Sequence, residues 1–303
     1  TNDRSYSCGL FDFTLYGGDS SEYTRTAPGL KLKHASKFTC ERVKFSGLTC
    51  EATRMVEVWD SYFFDCFWED CGGNNGGRPA INILNFESPD SETDNSNNIW
   101  FVNCHWESFR DGALWFIGAG NRTNKHRIVN CKLESRKIRG PAIKLDNFSD
   151  IIFLNTNIAI GEFDSGYSTP VDGLIATNGG MLQLRNGFWH TVANAAASVR
   201  SFIKIGTSVS FSQVKDIYFE AGTVNKPTVA AVDSPNSNDV LFENLRWWWN
   251  PGNATLFNLT AGTSDFFGLT YGTTIVTDAS RAKVFFAVLV DTLGDQSLYA
   301  MLL

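Results

Sequence analysis

One column of residues recurs along this chain at a spacing that few folds tolerate. Aligned segments place Asp12, Arg42, Asp65, Asn103, Asn130, Asn155, Asn186, Asp216, Asn244 and Gly268 in register, 23 to 38 residues apart. The clearest copies are Ile99-Trp-Phe-Val-Asn-Cys-His-Trp-Glu-Ser108 and His126-Arg-Ile-Val-Asn-Cys-Lys-Leu-Glu-Ser135, and Tyr62-Phe-Phe-Asp-Cys-Phe-Trp-Glu69 matches both. Asn, Asp and Gly tolerate a left-handed backbone best, so each column member predicts a tight bend between two short β runs. The runs alternate: Ile99 and Phe101 point one way and Trp100 the other, then Cys104 and Trp106 oppose His105 and Glu107.

A third β run follows in most repeats, at 55–59, 80–84, 113–117, 142–146, 201–205, 228–232 and 254–259. Three strands per ~28 residues, stacked in register, predict an all-β fold, a right-handed parallel β-helix solenoid of about ten coils. At ~4.8 Å per coil the rod is about 45–50 Å long. Residues 1–272 form this β-helix and 273–303 a C-terminal β segment. Within the latter, residues 284–290 are too apolar for an exposed edge, so they cap the solenoid or pack against other subunits.

Composition narrows the function. With 43% hydrophobic and 14% aromatic residues the chain buries a large core, which excludes disorder. Nothing approaches the ~20 apolar residues of a membrane helix, so no membrane insertion is expected. A net charge of −6 argues against nucleic acid and for an uncharged or polar partner. The seven cysteines (Cys8, Cys40, Cys50, Cys66, Cys71, Cys104, Cys131) have no zinc-ribbon spacing. They read as buried thiols made in a reducing cytoplasm. No phosphate loop, nucleophile elbow, His-Glu-x-x-His motif or calcium loop occurs, so neither cofactor nor metal is expected. The chain starts Thr-Asn-Asp, which reads as a fragment or a processed product.

The recurring Asn-Cys-x-aromatic-Glu rungs, from Cys8 to about Gly272, resemble the pectate-lyase-like β-helix of bacteriophage tailspikes and tail appendages. That resemblance implies a homotrimer on the virion tail, made in a bacterial cytoplasm and working outside the cell. It implies a glycan partner, bacterial cell-surface polysaccharide (capsule or O-antigen), which tailspikes bind and often cleave. The Asn-Thr-Asp, Gly-His-Gly and Arg-Ile-Lys motifs of polygalacturonases, which share the fold, are absent here.

Chemistry is sought where outward side chains of successive coils form columns. One column reads Ser46, Glu69, Glu107, Glu134, Ala159, His190, Glu220, Trp248. Glu69, Glu107 and Glu134 would lie one strand spacing apart, so they repel and at least one pKa should rise. One protonated and one ionised acid is what glycoside hydrolysis requires; adjacent rungs suit a retaining enzyme and alternate rungs an inverting one. The plainer alternative pairs these acids with Arg110, Lys132 and Arg136. Glu107 and Glu134 are the leading catalytic candidates, with Glu69 beside them.

His105 and Lys132 occupy the neighbouring column. In a lyase, a base such as His105 removes the C5 proton of a uronic acid while a cation holds its carboxylate. The third runs present Glu57, Asn82, Trp115, Lys144 and Lys204, with Trp59 and Asp146 one step further. Aromatic, acid and lysine on one face suit a sugar, or else cross-rung packing or a trimer contact. The substrate-binding candidates are thus Trp115, His105, Lys144, Asp146, Glu57 and Trp248, the last because Trp247-Trp248-Trp249 cannot all face inward. Two acidic insertions, 85–98 and 162–172, are expected to wall the groove.

Overall fold

The computed structural model describes residues 5–17, 27–73, 78–84, 95–109, 111–119, 121–135, 138–161, 171–191, 199–206, 208–221, 227–234 and 240–248. Beyond these it describes only short strand segments, at 255–258, 264–267, 269–270, 282–284, 287–290 and 296–299. Every described element is a strand or a connection between strands, and no helix is long and apolar enough to cross a membrane.

The chain winds as a parallel β-solenoid. Each coil runs through a pre-bend strand, a bend, a post-bend strand and a third strand on a separate sheet. The coil after Phe64 illustrates this: Asn97–Val102 pairs in parallel with Trp59–Phe64, His105–Phe109 with Phe67–Glu69, and Leu114–Ile117 with Ile81–Leu84. The third strands alone stack nine deep, from Leu30–Lys33 to Thr255–Asn258. The parallel order breaks once among the described residues, where Ala287–Val290 pairs antiparallel with Gln296–Tyr299.

The bend column behaves as its residue types require. Asp12, Arg42, Asp65, Asn103, Asn130, Asn155, Asn186, Asp216 and Asn244 all have φ between 49° and 57°; Gly268 lies outside the described residues. Their side chains also tie coil to coil, with Asn155 Nδ2 donating to Asn130 Oδ1 at 2.7 Å and Asn244 Nδ2 to Asp216 Oδ1 at 2.6 Å. Inside, identical positions of successive coils stack. Trp106 lies on Trp68 at 4.9 Å between ring centroids and Trp68 on Phe45 at 5.2 Å. Such buried aromatic pairs are worth about 0.5–1.5 kcal/mol beyond their area.

All seven cysteines are free, and six are buried. Cys66, Cys104 and Cys131 follow the bend residue in consecutive coils, and each thiol donates to a backbone carbonyl. Burial pushes the Cys71 thiol up to about 12, so it is an inert packing group. Cys8 departs from the expectation of buried thiols: it is exposed, next to the first strands of the rod.

The third run of one coil is also displaced from its expected register. The strand is Thr53–Val56, not 55–59, and Trp59 already opens the following pre-bend strand. Glu57 makes the corner, at φ 53°. Third strands at Leu30–Lys33 and Leu174–Thr177 complete the sheet. Most of the insertions 85–98 and 162–172 lies outside the described residues, as do Phe285 and Phe286 of the apolar C-terminal run.

Candidate functional site

Two period-2 columns cover the solvent side of the post-bend face. One pairs Ser46, Glu69, Glu107, Glu134, Ala159, His190, Glu220 and Trp248 coil by coil. The other runs Lys44, Phe67, His105, Lys132, Asn157, Phe188, Tyr218 and Arg246 through the same pairings. Of Trp248 only its strand position, opposite Glu220, is described. A register shift follows Glu107, where Ser108 takes φ 58° and Phe109 turns inward. The strand is therefore kinked beside Glu107, as bulges near functional sites commonly are.

The carboxylates do not behave as an isolated ladder of like charges. Lys44 Nζ lies 2.7 Å from Glu69, and the Ser46 hydroxyl donates to it at 3.0 Å. Lys132 Nζ lies 2.6 Å from Glu134. The lysine hydrogen bonds hold both carboxyls below the usual range, the reverse of the rise expected from mutual repulsion. A cation within contact distance outweighs a carboxylate one coil away. Glu107, between them, has no lysine or arginine partner among the described residues.

His105 packs its ring against Phe67 at 4.9 Å and brings Nε2 to 3.9 Å from Glu134. That nitrogen makes no hydrogen bond. Burial, then the charge of Lys132, pushes the pKa of His105 down, so the ring is neutral near pH 7. His190 is held down in the same way, chiefly by burial. Its ring stacks on Phe188 at 4.6 Å, and Phe188 stacks on Tyr218 at 5.4 Å. These three rings were not singled out as a group by sequence, although counting outward positions from Asn186 reaches all of them.

The remaining candidates lie on a different face. Trp115 and Lys144 are Cα partners on the third-strand sheet, where Lys144 Nζ sits 5.3 Å over the indole and Trp115 Nε1 donates to the Pro141 carbonyl at 3.1 Å. Asp146 accepts from Thr177 Oγ1 at 2.9 Å and Asn178 Nδ2 at 3.0 Å. Glu57 is buried and lies 2.7 Å from His34 Nδ1, so it is not an outward sugar-binding group. Arg54 fills the outward place assigned to Glu57, pairing with Asn82 in the sheet. Its guanidinium binds the buried Glu51 at 2.7 Å, while Asn82 Nδ2 donates to the same carboxylate at 2.8 Å.

A further cluster went unseen in the sequence. The Ser201 hydroxyl donates to the buried Asp172, and Arg200 lies 4.0 Å from Asp172 and 3.7 Å from the buried Asp233. Burial raises the Asp172 pKa, outweighing Ser201 and Arg200. Both carboxylates lie beneath the surface, where they serve as an inter-coil clamp.

No family model and no curated protein matches the sequence. Among solved structures, the chain superposes on ORF18 of Geobacillus virus E2 with a TM-score of 0.54 at 13% identity, covering 78% of this chain and 39% of that one. It superposes on PfbA, a surface adhesin of Streptococcus pneumoniae, with a TM-score of 0.57 at 9% identity, covering 88% and 65%. The likeness is one of fold. The tailspike gp49 of Pseudomonas phage LKA1 is also matched, with a TM-score of 0.26 at 13% identity over 86% of this chain and 53% of that one. The chain thus spans less than two thirds of the length of each of these three structures.

Proposed function

We propose that this chain is the β-helix of a phage tailspike-like appendage, located on the virion tail and assembled as a homotrimer. In this reading it binds bacterial surface polysaccharide, capsule or O-antigen, and hydrolyses a glycosidic bond on the post-bend face. The observation that supports cleavage is the pairing of Glu107 with Glu134 in adjacent coils. One coil spacing, ~4.8 Å, is close to the ~5–5.5 Å between the carboxyls of retaining glycosidases.

Glu134, kept ionised by Lys132, attacks the anomeric carbon and forms the glycosyl–enzyme bond. Glu107, the acid in the adjacent coil, is assigned the general-acid role, giving a proton to the leaving oxygen and then taking one from the water that displaces Glu134 from the anomeric carbon. The neutral His105 ring, packed on Phe67 with its buried Nε2 3.9 Å from Glu134, walls the site beside that carboxylate.

Non-catalytic receptor binding is the second reading, favoured by the lysine pairs that hold Glu69 and Glu134 low. Incubating capsular and O-antigen polysaccharides with the protein separates the two. Reducing-end release that falls at least ~10²-fold in Glu107→Gln and in Glu134→Gln supports hydrolysis. Full activity in both variants would overturn the assignment. An ultraviolet-absorbing unsaturated product would instead indicate elimination with His105 as base, and binding without shortening would indicate a receptor-binding appendage.

A further inference from the structure

We infer that Phe188, with Tyr218 and His190 behind and beside it, forms a stacking subsite for a neutral pyranose next to Glu134. The inference rests on the proposed reading of the post-bend face and adds to it where the sugar ring sits and what kind of sugar it is.

The geometry is a cluster of three stacked rings. Phe188 and Tyr218 occupy the same column in consecutive coils, with planes 13° apart and centroids 5.4 Å apart. His190, two residues along the same strand, stacks on Phe188 at 4.6 Å, 14° from parallel, so the three rings form one half-exposed aromatic patch. On the side away from Tyr218 comes the coil of Asn157 and Ala159, where no ring stands. Beyond that coil stand Lys132 and Glu134. An aromatic wall and a charged wall thus face each other across one coil of short side chains.

Pyranoses bind in this manner, with the C–H face on a ring and the hydroxyls toward polar groups. Ala159 is 2% exposed, closed over by its neighbours, so the sugar rests above that coil and takes its contact from the half-exposed Phe188 ring. His190 and Glu134 act electrostatically on one another across Ala159, which places the aromatic wall within reach of the proposed nucleophile.

Charge selects the sugar. Among the described residues the face carries Glu69, Glu107, Glu134 and Glu220 against Lys44, Lys132 and Arg246, and the two lysines are already paired. A uronate would meet net negative charge, whereas a neutral, hydroxyl-rich hexose meets acceptors in excess. Trp115, on the other sheet, plays no part in this subsite.

The test uses an array of capsular and O-antigen oligosaccharides, with calorimetric affinities measured on the hits. Phe188→Ala and the bulkier Phe188→Leu are expected to weaken binding about 3- to 10-fold, from loss of ring contact. Phe188→Tyr should restore it, and Trp115→Ala should leave it unchanged. Neutral repeat units should predominate among the hits. Wild-type affinity in both folded Phe188 variants, or loss in Trp115→Ala alone, would overturn the subsite while leaving glycan binding intact. Hits confined to uronate polymers would overturn the assigned sugar class. A folded wild-type protein with no hit at all would remove the functional reading and the subsite together.

Discussion

The post-bend face and the third-strand face come from the same coils, yet they use polar residues in opposite ways. On the third-strand face, charges are committed to bonds that lock one coil to the next. Glu51 is held by Arg54 and Asn82, and Asp172 and Asp233 by Ser201 and Arg200. Trp115 is tied to a carbonyl and covered by a lysine. On the post-bend face the ion pairs are half-exposed, and Glu107 has no cationic partner among the described residues. A solenoid needs inter-coil bonds somewhere, and a buried polar group is stabilising only when its bonds are complete. The half-exposed carboxylates and stacked rings of the post-bend face are what the coils have left to offer a ligand.

The sharpest way to break this contrast is to move activity from one face to the other. Glu134→Gln should lower glycan cleavage by about 10²–10⁴-fold, the range of a lost acid–base or nucleophilic group. Trp115→Ala, assayed identically by reducing-end release, should change it less than about 2-fold, since Trp115 stands outward on the other sheet and shares no partner with the acid pair. Equal losses in the two variants would erase the functional distinction between the faces.

Stability should show the reverse order. Arg54→Ala strands the buried Glu51 carboxylate with only Asn82 for support, and breaking a buried pair costs about 3–5 kcal/mol. Lys132→Ala removes a half-exposed partner of Glu134, worth less than about 1 kcal/mol. Urea denaturation of both variants checks the ranking; a Lys132→Ala midpoint as low as that of Arg54→Ala would contradict it.

The sequence made the bends and the post-bend columns readable for a definite reason. A left-handed residue is chemically marked, and counting by two from Asn103 or Asn130 leads without ambiguity to Glu107 and Glu134. The third strand has no such marker. In the stretch from Thr53 to Trp59, alternation continues past Val56, so nothing shows that Glu57 is a corner and that its side chain is buried against His34. Trp115 is legible as an outward residue of the third run, but residue type does not show that this run forms a sheet apart from the acids. The lysine pairs were half legible: Lys132 and Glu134 share a strand, but Lys44 reaches Glu69 from the preceding coil. Asp172 ends an acidic insertion, and only the folded coils make it a buried acid with a raised pKa.

Acid should separate the faces by sign. Glu134 is held below its unfolded value, so its contribution is present above about pH 4.3 and is lost as pH falls through the lower folded value. Asp172 is raised, so its ionisation costs stability above the folded value, and that cost fades as pH falls through it. Asp172→Asn should therefore melt higher than wild type at pH ~7, with the gain vanishing below pH ~4. Glu134→Gln should melt slightly lower at pH ~7 and match wild type in strong acid. Thermal melts across that range decide it, and shifts of the same sign in both variants would refute the opposition.

The smallest effect belongs to Glu69, and it tests whether the post-bend face has a centre. Glu69 resembles Glu134 in register and in having a lysine, but it also accepts from Ser46, and the preceding coil offers it Lys44 where it offers Glu134 the His105 ring. Lys44 and Ser46 both engage its Oε2, and it lies one coil beyond the Glu107–Glu134 pair. Glu69→Gln should cost less than about 1 kcal/mol of stability, as half-exposed ion pairs do, and should leave the cleavage rate within about 2-fold of wild type. A loss rivalling that of Glu134→Gln would move the acid pair to Glu69 and Glu107, one coil closer to the start of the rod. The stacking rings at Phe188 would then lie too far from the bond being cut to share a sugar with it.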